Sequence, residues 1–167
     1  MLLSIMGTVM LLDRQLGSLM ADMISVLIPC AIIIYARAWT AKDGIYLAIA
    51  SIVITLFLGN TTSYIYATVG VLVGIGVSIN LNRSPKTILI LTIILFIIGE
   101  LCVCFIIYPL IGVPVTQQLT GSLAIATKYH IPTFIMYFSF LFTIVLIGTI
   151  EGFITFIVSA KLFRRLR

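Results

Sequence analysis

The chain has 167 residues, 62% of them hydrophobic and 9% charged, with a net charge of +5. Soluble domains run near half apolar and about a quarter charged, and a chain of this size buries only about 70% of its unfolded surface. The apolar excess has no aqueous home, so composition argues against a soluble enzyme and for one transmembrane helical domain over 1–167. The basic residues are scattered at the ends of apolar runs rather than gathered in a patch, which argues against nucleic acid as a partner.

A membrane span needs about 20 apolar residues. The first apolar run, Met1–Leu12, is interrupted by Asp13-Arg14-Gln15 and either continues to Met20 or lies on the membrane surface. It has no basic residue before its apolar stretch and does not read as a signal peptide. A second span is expected over about 19–36, with Pro29 as a kink. Arg37, Lys42 and Asp43 mark a turn, and a third span runs from Gly44 to Leu58. Gly59-Asn60-Thr61-Thr62 turns into a fourth span, Ser63–Leu81. Asn82-Arg83-Ser84-Pro85-Lys86 breaks it, and a fifth runs over Thr87–Ile107. A long connection, 109–132, precedes the last apolar run, Thr133–Phe163. At 1.5 Å per residue that run would be ~46 Å long, so it is tilted, bent or begins outside the hydrocarbon.

Six spans divide the basic residues unevenly. Arg37, Lys42, Arg83, Lys86, Lys161, Arg164, Arg165 and Arg167 fall on one side, and Arg14 and Lys128 on the other. Cations favour the cytoplasmic side. The expectation is therefore a multi-pass protein of the inner (plasma) membrane, with both termini in the cytoplasm and the 109–132 connection outside. The basic groups also contact membrane lipids.

Helices in lipid pack through small residues. Gly44, Ala48, Ser51, Thr55 and Gly59 form one such stripe, Ser63, Ala67, Gly70, Gly74 and Ser78 a second, and Gly148, Gly152, Thr155 and Ser159 a third. Each stripe serves either packing within the chain or docking of a partner, and Ala67, Gly70 and Gly74 are the candidate docking residues.

A carboxylate in hydrocarbon costs several kcal/mol unless it is bonded, protonated or facing water. Asp22, Glu100 and Glu151 lie in apolar runs. They are either locks between helices or contacts for a ligand in an interior cavity. On the outer side, Asn60, Tyr64, Gln117, Tyr129 and His130 lie in turns that can converge on one mouth, the mixture a small-molecule site needs above an apolar pocket. Together with the three acids they form the candidate substrate site. Cys30, Cys102 and Cys104 make no CxxC pattern, and His130 is the single histidine, so neither a metal site nor a cofactor is expected. There is no GxxxxGK[ST], HExxH or GxSxG pattern, so no enzymatic activity is expected.

Asp13-Arg14-Gln15, Ile28-Pro29 with Ile34-Tyr35, Lys42-Asp43-Gly44, Leu56-Phe57-Leu58-Gly59 and the ending Ile150-Glu151-Gly152-Phe153-Ile154-Thr155 before Lys161 resemble the S-component-like membrane proteins. That group includes the substrate-binding subunits of energy-coupling-factor (ECF) uptake transporters, which work in an ABC transporter complex, and the YybS-type proteins. The resemblance covers residues ~10–110 and the C-terminal ~20. It implies a six-helix bundle that captures a vitamin or similar micronutrient from outside. It also implies docking on a transmembrane coupling subunit that works with two cytoplasmic ATPases. The chain is also similar to the MreD-like cell-shape scaffolds, which have the same length and hydropathy plan and an acid at the position of Asp22. That alternative implies binding of membrane proteins rather than of a solute. A lipid- or ion-handling accessory subunit is a third reading.

Overall fold

Backbone N–H and C=O groups in segments this apolar have no water to bond and must bond within the chain, which favours helix. The structure, a computed structural model, describes residues 2–17, 21–120, 124, 128 and 132–166. Among them every regular element is helical. The helices are α1 (Leu2–Gln15), α2 (Ala21–Ala38), α3 (Ala41–Leu58), α4 (Thr61–Ile79) and α5 (Pro85–Cys102). A π-helical turn, Val103–Ile107, and Tyr108–Leu110 continue α5, and α6 (Val115–Gln118) and α7 (Thr133–Leu166) follow.

Among the described residues, four helices are long and apolar enough to cross a membrane: α3, α4, the rod Pro85–Leu110, and α7 over Thr133–Arg164. α2 has 18 residues and α1 has 14. Four of the six expected spans are thus matched by helices of spanning length among the described residues. The expected boundaries shift modestly. Asn60 caps α4 by accepting from Ser63 N–H at 2.7 Å, so that helix starts two residues early. Ser84 caps α5, with Pro85 just inside the helix start, where its missing N–H costs nothing. The 109–132 connection begins only after the helix has run on through Leu110 and turned at Gly112, whose φ of +87° suits glycine.

The interruption expected at Asp13-Arg14-Gln15 is absent. α1 runs through it, because Asp13 turns inward and is fully buried rather than solvated.

α2 lies at the centre and touches α1, α3, α4 and α7, while α5 packs between α4 and α7. Accordingly α2 is buried on every side from Ile28 to Ile34, as a helix that is apolar all round must be. The outer helices are the reverse. Along one stripe of α7, Phe134, Phe138 and Phe142 are 72%, 69% and 60% exposed. That is the surface of a protein facing lipid, not water.

All three small-residue stripes are spent inside the bundle. On α4, Ala67, Gly70 and Gly74 are buried toward α2. A Cβ on Gly70 would stand 3.0 Å from Pro29 Cδ and from the Ser25 carbonyl oxygen, and one on Gly74 would stand 2.9 Å from Ile32 Cδ1. A partner docking on these three residues would first have to displace α2. On α3, Gly44 meets Ala36, while Ser51 and Thr55 meet the sulfurs of Met6 and Met10 in α1. On α7, Gly148 and Gly152 let the backbone of α5 in: added Cβ atoms would lie 2.9 Å from Ile97 Cα and 2.7 Å from Ile93 Cα.

Backbone cannot yield as a flexible side chain does. Gly152→Val should therefore open the α5–α7 seam and cost on the order of 2–3 kcal/mol. Gly7→Ala, where a Cβ would make ordinary contacts with Leu58 Cδ1 at 3.4 Å and Ile54 Cγ2 at 3.9 Å, should be near neutral. Thermal unfolding of the two variants in detergent checks this; similar midpoints would refute the seam.

Candidate functional site

Two polar clusters lie within the apolar bundle. The first is at the end where α1 finishes and α4 begins. Asp13 on α1 accepts a hydrogen bond from Ser63 Oγ and a longer one, 3.5 Å, from Asn60 Nδ2. The local sequence explains the arrangement. Asn60 and Ser63 bracket the first turn of α4, where unpaired N–H groups and the helix dipole favour a negative group. Asp13 supplies a carboxyl there from another helix. Its burial was not evident from the sequence, where Asp-Arg-Gln reads as a polar interruption. The missed signal is the spacing to Met6 and Met10, which puts Asp13 on the same inward face of α1.

The second cluster is deeper. Ser25 Oγ on α2 donates to Glu151 Oε1 on α7 at 2.6 Å, with both residues buried. One turn further along the same pair of helices, Cys30 Sγ points to the Thr155 carbonyl oxygen at 3.6 Å. Proline shapes this site. Pro29 has no N–H, so the Ser25 carbonyl loses its usual partner four residues on. Gly70 closes on that carbonyl from α4. Gly70 and Ser63 are seven residues apart on α4, so the two clusters are separated by ~10 Å along it. Glu100 is buried on α5, on the face that carries Thr92 and Phe96.

The remaining expected site residues divide. Tyr64 is 39% exposed and Gln117 is exposed, so neither is part of either buried cluster. Tyr129, His130 and the side chain of Asp22 lie outside the described residues. Gln117 was singled out from the sequence, yet its neighbour Gln118 makes the contacts. Gln118 Nε2 donates to the carbonyls of Cys104 and Val113, at 3.2 Å each. In the π-helical turn the Tyr108 N–H goes to Val103 O, and residue 109, next in that register, is a proline with no N–H to give. Cys104 O is thereby freed, and Gln118 folds back to satisfy it. Among the described residues no group of three His, Cys, Asp or Glu side chains is placed to hold a metal.

Removing one partner of a buried hydrogen bond strands the other. A double-mutant cycle on Ser25→Ala and Glu151→Gln should give a coupling energy of about 1–2 kcal/mol by thermal unfolding; purely additive losses would show that the two groups do not interact. Gln118→Leu should cost about 1–2 kcal/mol, because Cys104 O loses its donor. Accelerated amide exchange confined to 104–113 would locate the loss, whereas unchanged exchange there would exclude this role.

No family model matches the chain, and no curated protein or solved structure matches it.

Proposed function

We propose that the chain is the solute-binding subunit of an ECF-type uptake transporter, held in the plasma membrane by six helical segments with its basic end in the cytoplasm. The observation that carries the reading is the buried Glu151 carboxyl, held by Ser25 between α2 and α7 within a bundle of apolar helices. A polar group placed at such depth costs free energy and is commonly retained for function. The Asp13, Asn60 and Ser63 cluster supplies hydrogen-bonding groups at the opposite end from the basic turns. Carboxyl and amide groups of this kind suit a micronutrient with a positive or hydrogen-donating group. A coupling subunit and two cytoplasmic ATPases would complete the assembly, as the resemblance of the chain to S-component-like proteins implies. Docking would then use a face other than the Ala67, Gly70 and Gly74 stripe, which α2 covers.

A second reading, the MreD-like scaffold, draws on a different feature of the same clusters. The bonds from Ser63 to Asp13 and from Ser25 to Glu151 close within the chain and join α4 to α1 and α2 to α7. Such bonds also serve as locks between helices that bind no solute.

Mass spectrometry of the purified chain should find a co-purified small molecule, and adding that molecule back should raise the melting temperature. Glu151→Gln should reduce this ligand-dependent rise several-fold while lowering the ligand-free melting temperature by much less. The scaffold reading gains if no molecule co-purifies and cell-wall proteins rather than ATPases accompany the chain.

A further inference from the structure

The basic end of the bundle holds a cavity that neither polar cluster uses. Its volume is about 500 Å³, and it lies where the end of α2, the start of α3, the α4–α5 turn and the last turns of α7 meet. The polar and aromatic groups around it are Arg37, Trp39, Thr40, Ser78, Asn82 and Phe163, and among the described residues no carboxylate lines it. Two of the hydroxyls are committed: Ser78 donates to Gly74 O at 2.6 Å, and Thr40 donates to Asp43 Oδ2, also at 2.6 Å. Arg37, Trp39 and Asn82 are not. Among the described residues, Arg37 makes no ion pair, and the side chains of Trp39 and Asn82 make no hydrogen bond. Arg37 is half-buried and lies over the Phe163 ring at 5.9 Å from the centroid. The ring steadies the guanidinium without using its five N–H donors.

We infer that this cavity binds a phosphate-bearing anion of about glycerophosphate size, the chemistry shared by an anionic phospholipid headgroup and a soluble phosphate ester. The donor set decides the charge: a guanidinium, an amide and an indole N–H surround a space that no acid among the described residues lines. The guanidinium's planar fork fits two phosphate oxygens at once. Size decides against a bare ion. One water takes about 30 Å³, so the cavity holds many times that volume and falls in the range of small-molecule sites. Its rim suits an amphiphile, with Trp39 71% and Ile79 61% exposed beside it. Exposed Lys42, Arg83, Lys86 and Arg164 at the same end raise the local anion concentration. The site lies at the far end from Asp13 and stands whether or not the transport reading does.

The test is native mass spectrometry of the full chain in detergent. It would be titrated separately with dioleoyl phosphatidylglycerol, dioleoyl phosphatidylcholine and sn-glycerol 3-phosphate. Retention of phosphatidylglycerol at least about tenfold above phosphatidylcholine assigns the lipid source, and retention of glycerol 3-phosphate assigns the soluble one; either supports the site. Arg37→Gln should lower that retention about tenfold. Asn82→Ala, in an exposed turn where folding is not at stake, should lower it several-fold. The pair Arg83→Gln and Lys86→Gln, at the same end but not lining the cavity, should change it less than twofold. Equal retention of both lipids with no glycerol 3-phosphate bound would overturn the inference. So would retention indifferent to Arg37 and Asn82, or a loss with the Arg83 and Lys86 pair as large as with Arg37.

Discussion

Close approach of backbones around α2 is the constraint on which the rest of the structure depends. Between helices that face lipid there is no hydrophobic gain in meeting, because hydrocarbon solvates a leucine as well as another helix does. What remains is contact, and contact is dense only where side chains are small. Gly70 and Gly74 bring α4 onto Pro29 and Ile32, Gly44 brings α3 onto Ala36, and Gly148 and Gly152 bring α7 onto α5. Each of these glycines has a neighbour within about 3 Å of where a Cβ would be. Two of the helices around α2, α3 and α4, present such surfaces to it, and α7 presents one to α5.

That packing decides what the acids can do. Once α2 and α7 are held side by side, Ser25 and Glu151 meet at 2.6 Å in a place water does not reach. Once α1 lies along α3 through the Met6–Ser51 and Met10–Thr55 contacts, Asp13 arrives at the first turn of α4. The acids do not bring the helices together. They lie where the small-residue seams leave them, and the hydrogen bonds there fix register along seams that would otherwise slide.

Much of this was legible in the sequence. The stripes of small residues were visible at spacings of three and four, and they fall on the buried faces. The capping residues Asn60 and Ser84 stood in the right turns. Burial of Glu100 and Glu151 followed from their apolar neighbours. Asp13 was not legible, since a polar triplet looks alike whether it ends a helix or turns one residue of three inward. The partner of Glu151 was not legible either. Ser25 lies 126 positions away, and no local pattern encodes which of several buried hydroxyls will face it. The cavity at the basic end was hidden for a related reason: Arg37, Asn82 and Phe163 come from three separate chain segments, and only their meeting leaves a space.

Pro29 and Pro109, the two prolines beyond a first helical turn, show how such a chain settles a debt of hydrogen bonds where no water is at hand. Each removes a donor, and an apolar surrounding makes a freed carbonyl costly. At Pro29 the missing N–H is the one that would reach the Ser25 carbonyl, deep in the bundle, where Gly70 packs against that oxygen. Gly70 comes so close that a Cβ there would stand 3.0 Å from the oxygen. At Pro109 the freed oxygen belongs to Cys104, near the end of the rod. There the chain has room to turn at Gly112 and return a full amide, Gln118, to the carbonyl. The depth of the defect sets the remedy. Where three helices already touch, there is space only for the absence of a side chain; where the rod ends, a side chain can be brought back from the loop beyond it.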